Sequence, residues 1–105
     1  MKVLFHPDRE DIHLSSVLYA LSDPIRLSVV AQLCRSSERS CGEFDMPIAK
    51  STMSHHVRTL REAGVVNVRS VGTQRLISLR MEDLEARFPG LLTSVLDAYE
   101  ASEER

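Results

Sequence analysis

Apolar residues recur at helical spacing over residues 10–21, and the set is Leu14, Val17, Leu18 and Leu21. Because residues three and four apart share one side of a helix, this spacing predicts a first helix. A second helix is predicted over residues 24–34, since Asp23 is a typical N-cap and Pro24 suits the first helical position. Its apolar arc is wide, which indicates a place at the centre of the core.

Two further helices are predicted in the middle of the chain. A short one over about residues 43–46 ends before Pro47, because proline interrupts the helical hydrogen bonds. A longer one over residues 50–63 ends at Gly64, which suits the left-handed position after a helix.

An alternating pattern follows and predicts a hairpin, or wing, over residues 65–79. Residues 70–73 are expected to join its two strands, with Gly72 at the permissive turn position. Pro89 is expected to open a last helix over about residues 89–101. The order of elements predicts a mainly α protein with a small β-hairpin, a winged helix-turn-helix formed by one domain over residues 1–105.

Charge is distributed unevenly along the chain. The formal net charge is −2. Residues 50–80, however, contain six basic side chains and only one acidic side chain, Glu62, a local net charge of +5. A local basic patch is typical of a surface that binds phosphate groups, whereas a merely solvated helix face usually mixes both signs.

The polar face of the helix over residues 50–63 is the main candidate for function. Met53, Val57 and Leu60 share the opposite, apolar face, and the polar side chains are mostly short, as a helix in the major groove of DNA requires. The first-turn amides also suit a phosphate. The predicted DNA contacts on this helix are Lys50, Ser51, Thr52, Ser54, His55, His56, Arg58 and Thr59. His56 borders the apolar arc and is explained equally well as a packing residue.

The hairpin tip carries side chains that can follow the DNA backbone or enter the minor groove. They are Arg69, Thr73, Gln74 and Arg75. The alternative is a solvated hairpin whose charges protect its edges.

Other classes of function find little support in the residues. Gly-rich phosphate loops and the common hydrolase and metalloprotease motifs are absent, so no enzyme is expected. The chain shows no pattern of a signal peptide or a membrane span, so we expect a cytoplasmic protein without a membrane partner. Cys34 and Cys41 are expected to be reduced thiols, Cys34 in the core and Cys41 more exposed. A redox switch built on them is the alternative.

Two stretches carry a family resemblance. Residues 21–30 read Leu-Ser-Asp-Pro-Ile-Arg-Leu-Ser-Val-Val, and residues 50–66 read Lys-Ser-Thr-Met-Ser-His-His-Val-Arg-Thr-Leu-Arg-Glu-Ala-Gly-Val-Val. Together with the hairpin glycine they resemble the ArsR/SmtB-type winged-helix repressors, over about residues 14–100. The resemblance implies a homodimer on a palindromic operator, in a prokaryotic cytoplasm at the nucleoid. It also implies release by an inducer, which here is an unknown small molecule, redox signal or metal.

The resemblance implies a dimer interface on the first and last helices. The candidate residues are Leu14, Val17, Leu18, Leu91, Leu92, Val95, Leu96 and Tyr99. The alternative is that the stripe on the last helix packs on its own subunit's core.

The metal sites common in that family are not intact in this sequence. Only Cys41 stands where a Cys-x-Cys pair is expected, and the last helix carries Asp97, Glu100 and Glu103 without histidine. We therefore expect no metal and no cofactor, although a site built from His6, His13 or Cys41 stays open.

Two alternatives to a simple repressor remain. One is a repressor that senses redox state or metal, which differs only in its signal. The other is a winged-helix protein-interaction module that does not bind DNA. The basic block favours DNA, because a protein-binding face usually has aromatic residues or Met at its centre.

Overall fold

The computed structural model describes residues 4–44 and 46–102 of the chain. Its α-helices and β-strands, in chain order, are α1 (Leu14–Ala20), α2 (Pro24–Arg35), β1 (Arg39–Ser40), α3 (Lys50–Glu62), β2 (Val66–Val71), β3 (Gln74–Leu79), α4 (Met81–Arg87) and α5 (Leu91–Ala101). The strands form one antiparallel sheet in the order β1-β3-β2. This confirms the predicted winged helix-turn-helix, with β2 and β3 as the wing.

The start of α2 follows from its capping residues. The Asp23 carboxylate accepts hydrogen bonds from the backbone N–H groups of Ile25, at 2.8 Å, and Arg26, at 3.2 Å. Two of the amides that a helix start leaves unpaired are thereby satisfied. Val29 and Val30 are fully buried on this helix, which therefore lies in the core as its apolar arc predicted.

The end of α3 has the predicted glycine cap. Gly64 has φ +88° and donates from its N–H to the Arg61 carbonyl at 3.1 Å. The Val65 N–H donates to the Leu60 carbonyl at 2.9 Å, which completes a Schellman motif. A side chain at position 64 would also collide with Ile12, which is packed against this turn. Glycine is thus required here for both conformation and space.

The wing turn is tighter than predicted. Only Gly72 and Thr73 separate the strands, and Val71 pairs directly with Gln74. Gly72 has φ +61° while no non-glycine residue described has positive φ, the pattern of a type II′ hairpin turn. The tight turn matches the twist of both strands, so β2 and β3 pair without a break up to the tip.

Strand β1 was not predicted. Arg39 pairs with Ile77 and Ser40 with Leu76, which adds a third strand to the wing. Two residues are too few to show an alternating pattern, so the segment resembles a linker in sequence.

Two predicted helix positions were wrong. The short helix expected over residues 43–46 is instead a 3-10 turn over Cys41–Glu43, closed by a capping box between Ser40 and Glu43. Residue 45 of that prediction lies outside the described residues. The last helix does not open at Pro89, because Gly90, with φ +80°, is its N-cap.

Half of the predicted dimer-interface residues lie in the core of a single chain, which corrects that prediction. Val17, Leu92, Leu96 and Tyr99 have 1%, 3%, 7% and 8% of their surface exposed, respectively. Side chains with so little free surface add almost no area to an interface. Leu14 and Leu18 do face outward, beside Tyr19, while Leu91 and Val95 are half-buried.

Candidate DNA interface

The polar face of α3 is open to solvent, as its amphipathic pattern predicted. Met53, Val57 and Leu60 are buried. The exposed predicted contacts are Lys50, Ser51, Thr52, Ser54, His55 and Arg58. Thr59 is half-buried, and its hydroxyl donates to the His55 carbonyl at 3.1 Å, so it is already engaged within the helix.

The first turn of α3 offers backbone donors. The N-cap residue is Ala49, whose methyl side chain cannot accept from the first-turn amides. Those N–H groups carry the positive end of the helix dipole and lie beside Lys50, the first residue of the helix. A phosphate oxygen bound there would satisfy them.

A groove of about 360 Å³ separates the first half of α3 from the wing. It is lined by Cys41, Gly42, Lys50, Met53, Ser54, Thr73 and Arg75. The fold thus places Lys50 and Ser54, on the helix, beside Thr73 and Arg75, on the wing. Two sets of candidates that the sequence separates by some twenty residues form one surface.

Three arginines converge next to this groove. Arg58, Arg61 and Arg75 line a second cleft, of about 170 Å³, between α3 and the wing. Arg58 is paired with Glu62 at 3.2 Å, an exposed pair of the kind that contributes little stability and breaks readily. The cleft therefore presents positive charge, which suits a phosphate backbone.

Comparison with known proteins agrees with this geometry. A family model described as a helix-turn-helix domain matches residues 21–69. The uncharacterized HTH-type transcriptional regulator YceK of Bacillus subtilis (strain 168) is 37% identical over 84 residues, 77% of this chain and 84% of YceK. The arsenical resistance operon repressor of Staphylococcus xylosus is 32% identical over 79 residues, 69% of this chain and 70% of the repressor.

The solved structures point the same way. An ArsR-like transcriptional regulator from Rhodococcus sp. RHA1 has a TM-score of 0.62 and 25% identity to this chain, covering 84% of this chain and 86% of that one. The chain belongs to the ArsR family. It is therefore a winged helix-turn-helix transcriptional regulator that binds DNA.

One predicted contact on the wing of this ArsR-family chain is already paired. Both carboxylate oxygens of Glu38 accept from the Arg69 guanidinium, at 2.8 and 3.0 Å. The pair raises the pKa of Arg69 and lowers the pKa of Glu38. Arg69 is exposed, so DNA can still reach it, but a phosphate must compete with Glu38. Gln74 and Arg75 are exposed at the start of β3.

His56 does not present its side chain to DNA, which corrects its place among the predicted contacts. Only 8% of its surface is exposed, and its Nδ1 lies 3.1 Å from a terminal nitrogen of Arg26. Burial lowers the pKa of His56, and the nearby Arg26 and His55 lower it further against an opposing effect of Asp23. The packing interpretation of this residue was the right one.

Arg26, Glu38 and Arg61 are site residues that the sequence reasoning did not single out. Arg61 donates to the backbone carbonyl of Phe5, so the N-terminal segment is held against the end of α3. Arg26 interrupts the apolar arc of a core helix, and that mismatch is the one signal that could have been noticed. Glu38 has no such signal, because its partner lies 31 residues away.

The two cysteines of this ArsR-family chain differ from the prediction, which placed Cys34 in the core and Cys41 nearer the surface. Cys34 is exposed, and Cys41 is half-buried between α3 and the wing. Burial raises the pKa of the Cys41 thiol, and Arg75 only partly opposes that effect. A raised pKa keeps the thiol protonated and less reactive.

The described part of the chain shows neither a metal cluster nor a membrane-spanning helix. Within residues 4–44 and 46–102, no three His, Cys, Asp or Glu side chains are grouped as metal ligands. Glu103 of the predicted ligand candidates lies outside those residues. No single helix there is long and apolar enough to cross a membrane, and α1 with α2 reaches that length only across a bend of 100°.

Proposed function

We propose that this ArsR-family chain is a repressor that binds a palindromic operator as a homodimer and leaves it when an inducer binds. It acts without catalysing a reaction, in a prokaryotic cytoplasm at the nucleoid. The observation that carries the proposal is the single surface formed by Lys50 and Ser54 on α3 and by Thr73 and Arg75 on the wing. The name of the Staphylococcus xylosus relative, a repressor, supports the direction of regulation.

The roles of the surface residues follow from their reach and chemistry. Ser54 and His55, in the exposed N-terminal half of α3, are placed to meet base edges in the major groove. Lys50, Arg58 and Arg75 are cations at the rim and suit phosphates, which fix position without reading sequence. The recognition helix therefore supplies specificity and the wing supplies affinity.

The dimer is supported by an apolar patch on α1. Leu14, Leu18 and Tyr19 are 45%, 46% and 66% exposed. Large apolar side chains grouped on a surface commonly mark an interface. A twofold axis through the patch would bring together the same residues of two subunits and present two recognition helices. Such helices enter successive major grooves about 34 Å apart.

The inducer is proposed to be a small molecule. A groove of about 680 Å³ between α2 and α5, lined in part by Arg35, Arg39 and Tyr99, has the size of a small-molecule site. A redox or metal signal is the alternative, with Cys34, Cys41 or His6 as the groups to test.

The decisive experiment is selection of bound duplexes from a random DNA pool, at stated salt and with reduced protein. We expect an enriched inverted repeat with half-sites about one helical turn apart. The matched control carries Arg58→Ala and Arg75→Ala, which should reduce recovery of DNA at the same salt. A pool that stays random would contradict the proposal and favour a protein-interaction module.

A further inference from the structure

Arg26 is a buried cation whose side chain bonds to two other helices. Only 6% of its surface is exposed. Its Nε donates to the Ala20 carbonyl at 2.7 Å, and one terminal nitrogen reaches the Tyr19 carbonyl at 3.4 Å. The other terminal nitrogen lies 3.1 Å from Nδ1 of His56. One side chain on α2 therefore connects the end of α1 to the middle of α3.

The contacts with α1 are those of a helix C-cap. Tyr19 and Ala20 lie in the last turn of α1, at the negative end of the helix dipole. The Tyr19 carbonyl also accepts from the N–H and the hydroxyl of Ser22, at 3.0 and 2.6 Å, so the bond to the Ala20 carbonyl is the main one that Arg26 makes here. A cation at that end is stabilising. The Arg26 guanidinium also lies over the Tyr19 ring, 5.4 Å from its centroid. Tyr19 is therefore in contact with Arg26 although 66% of its surface is exposed.

The contact with α3 determines the protonation of His56. A guanidinium can only donate hydrogen bonds, so Nδ1 of His56 must be the acceptor and its proton lies on Nε2. A second proton on the imidazole would remove that acceptor and place two cations side by side. The charged groups that act on His56 are Asp23 and Arg26 from α2 and His55 on α3 itself, while α1 contributes its carbonyl end through Arg26.

Away from Arg26, the solvent-facing sides of α1 and α3 do not pack closely against each other. A cleft of about 380 Å³ separates them there, with Tyr19 on one wall and Thr59 and Glu62 on the other. On this side the polar connection through Arg26 adds to the packing of Met53, Val57 and Leu60 in fixing the rotation of α3. A rotation of α3 would change the direction of its exposed side chains, His55 among them.

We propose that Arg26 and His56 are positioning residues for DNA recognition, which hold α3 in the orientation that presents its polar face. The inference rests on the proposed operator binding.

The first test compares two substitutions of one residue. His56→Asn keeps an acceptor at the δ position, whereas His56→Leu fills similar space without one. Affinity for the duplex enriched by wild-type protein should fall about tenfold in His56→Leu and stay within about threefold in His56→Asn. Dimerisation, followed by sedimentation equilibrium, and helical circular dichroism should be unchanged in both. Equal affinity of the two variants and wild type would overturn the proposal.

The second test is a pH profile. Wild-type affinity should fall relative to His56→Asn as the pH is lowered from about 7.5 to about 5, because His56 gains a proton as the pH falls through its pKa, which burial lowers below the ordinary value of about 6.5. His6, His13 and His55 are common to both proteins, so their titration cancels in the ratio. Profiles that superimpose would show that the pair only fills the core.

The third test needs no DNA. In the free protein, nuclear magnetic resonance should show the Nε2–H tautomer of His56 at neutral pH. The backbone amides of Ala20, His55 and Arg58 should shift with the same midpoint as His56. Amides on α3 that do not follow His56 would overturn the positioning role. A wild-type chain that enriches no duplex, but shows this coupled titration, would instead contradict the proposed function alone.

Discussion

Arg69 on β2 is held by Glu38, which lies in the connection between α2 and β1. The Nε and one terminal nitrogen of the guanidinium donate to the two carboxylate oxygens, at 2.8 and 3.0 Å. Bidentate pairs of this kind are the stronger and more directional ones. The side chains are 62% and 28% exposed, however, so water and salt weaken the pair. If Arg69 contacts DNA as proposed, a phosphate would have to displace Glu38 from it.

Glu38→Gln should strengthen DNA binding. The change removes a negative charge from beside the DNA surface and releases Arg69 to a phosphate. Affinity should rise about threefold to tenfold at low salt, and the plot of log affinity against log salt should steepen by about one unit. Fluorescence anisotropy over a salt series measures both. Glu82→Gln, an exposed acid on α4, is the control, and an equal effect of the two changes would contradict the role of Glu38.

Arg75→Ala and His55→Ala should weaken DNA binding in different ways. Arg75 lines both clefts between α3 and the wing, so its loss should weaken all sequences alike and lower the salt slope by about one unit. His55 is exposed on α3, so its loss should change preference at particular base pairs, by about 1–3 kcal/mol each. Binding to a panel of operator variants separates the two patterns. Uniform losses for His55→Ala would exclude base reading by that residue.

Leu18→Glu should disrupt the proposed dimer. The change puts a charge in the centre of the α1 patch, whereas Leu18 is 46% exposed and contributes little to its own subunit's core. Sedimentation should show a monomer at concentrations where the wild type is dimeric. Met81→Glu, at a residue that is 36% exposed on α4, is the control and should leave the dimer intact. A dimeric Leu18→Glu protein would place the interface elsewhere.

Gly64→Ala should destabilise the chain more than Gly90→Ala. Both glycines have positive φ, at +88° and +80°, and the backbone cost for alanine there is about 1–2 kcal/mol. At position 64 the new Cβ would also lie 2.6 Å from Cγ1 of Ile12, while at position 90 it meets open space. Urea unfolding of both variants isolates the collision with Ile12. Equal losses would mean that Ile12 moves aside freely.

Stability should fall as the pH is lowered below about 6.5. The pKa values of His6 and His56 are both lowered, chiefly by burial, so the unfolded chain takes up protons before the folded chain does. The contribution of each histidine to the free energy of unfolding is complete above the ordinary pKa of about 6.5. It is lost as the pH falls through the lowered pKa of that histidine in the folded chain. His6 accepts a bond from the Val68 N–H at 3.0 Å, which protonation would break.

The measurement is urea unfolding at pH 7.5 and pH 5.5. A double variant, His6→Asn with His56→Asn, should show a flatter dependence than the wild type between these values. Glu38, Glu43 and Asp83 have lowered pKa values, so their contribution is lost at more acidic pH and does not obscure the comparison. A wild type whose stability is constant over this interval would contradict the prediction.

Local signals made much of the fold predictable. Asp23 and Gly64 act on amides and carbonyls a few residues away, so their roles can be recognised from neighbouring sequence. The apolar residues of α3 recur at helical spacing, and the division into a polar and an apolar face likewise depends only on helical geometry. Errors arose where the chain departs from a regular period, as in the 3-10 turn at Cys41–Glu43 and the two-residue strand β1.

By itself, then, the sequence determined α1, α2, α3, the wing and α5 in their order, the caps Asp23 and Gly64, the basic block and the polar face of α3, because these depend on spacing along the chain. Only the tertiary structure decided which of those side chains are available. Arg69 meets Glu38, and His56 meets Arg26, through contacts that span about thirty residues. Leu92, predicted at the dimer interface, is only 3% exposed because it packs in the core of its own subunit. Burial and pairing depend on the distances between segments of the folded chain. The spacing of residues within one segment gives no information on those distances.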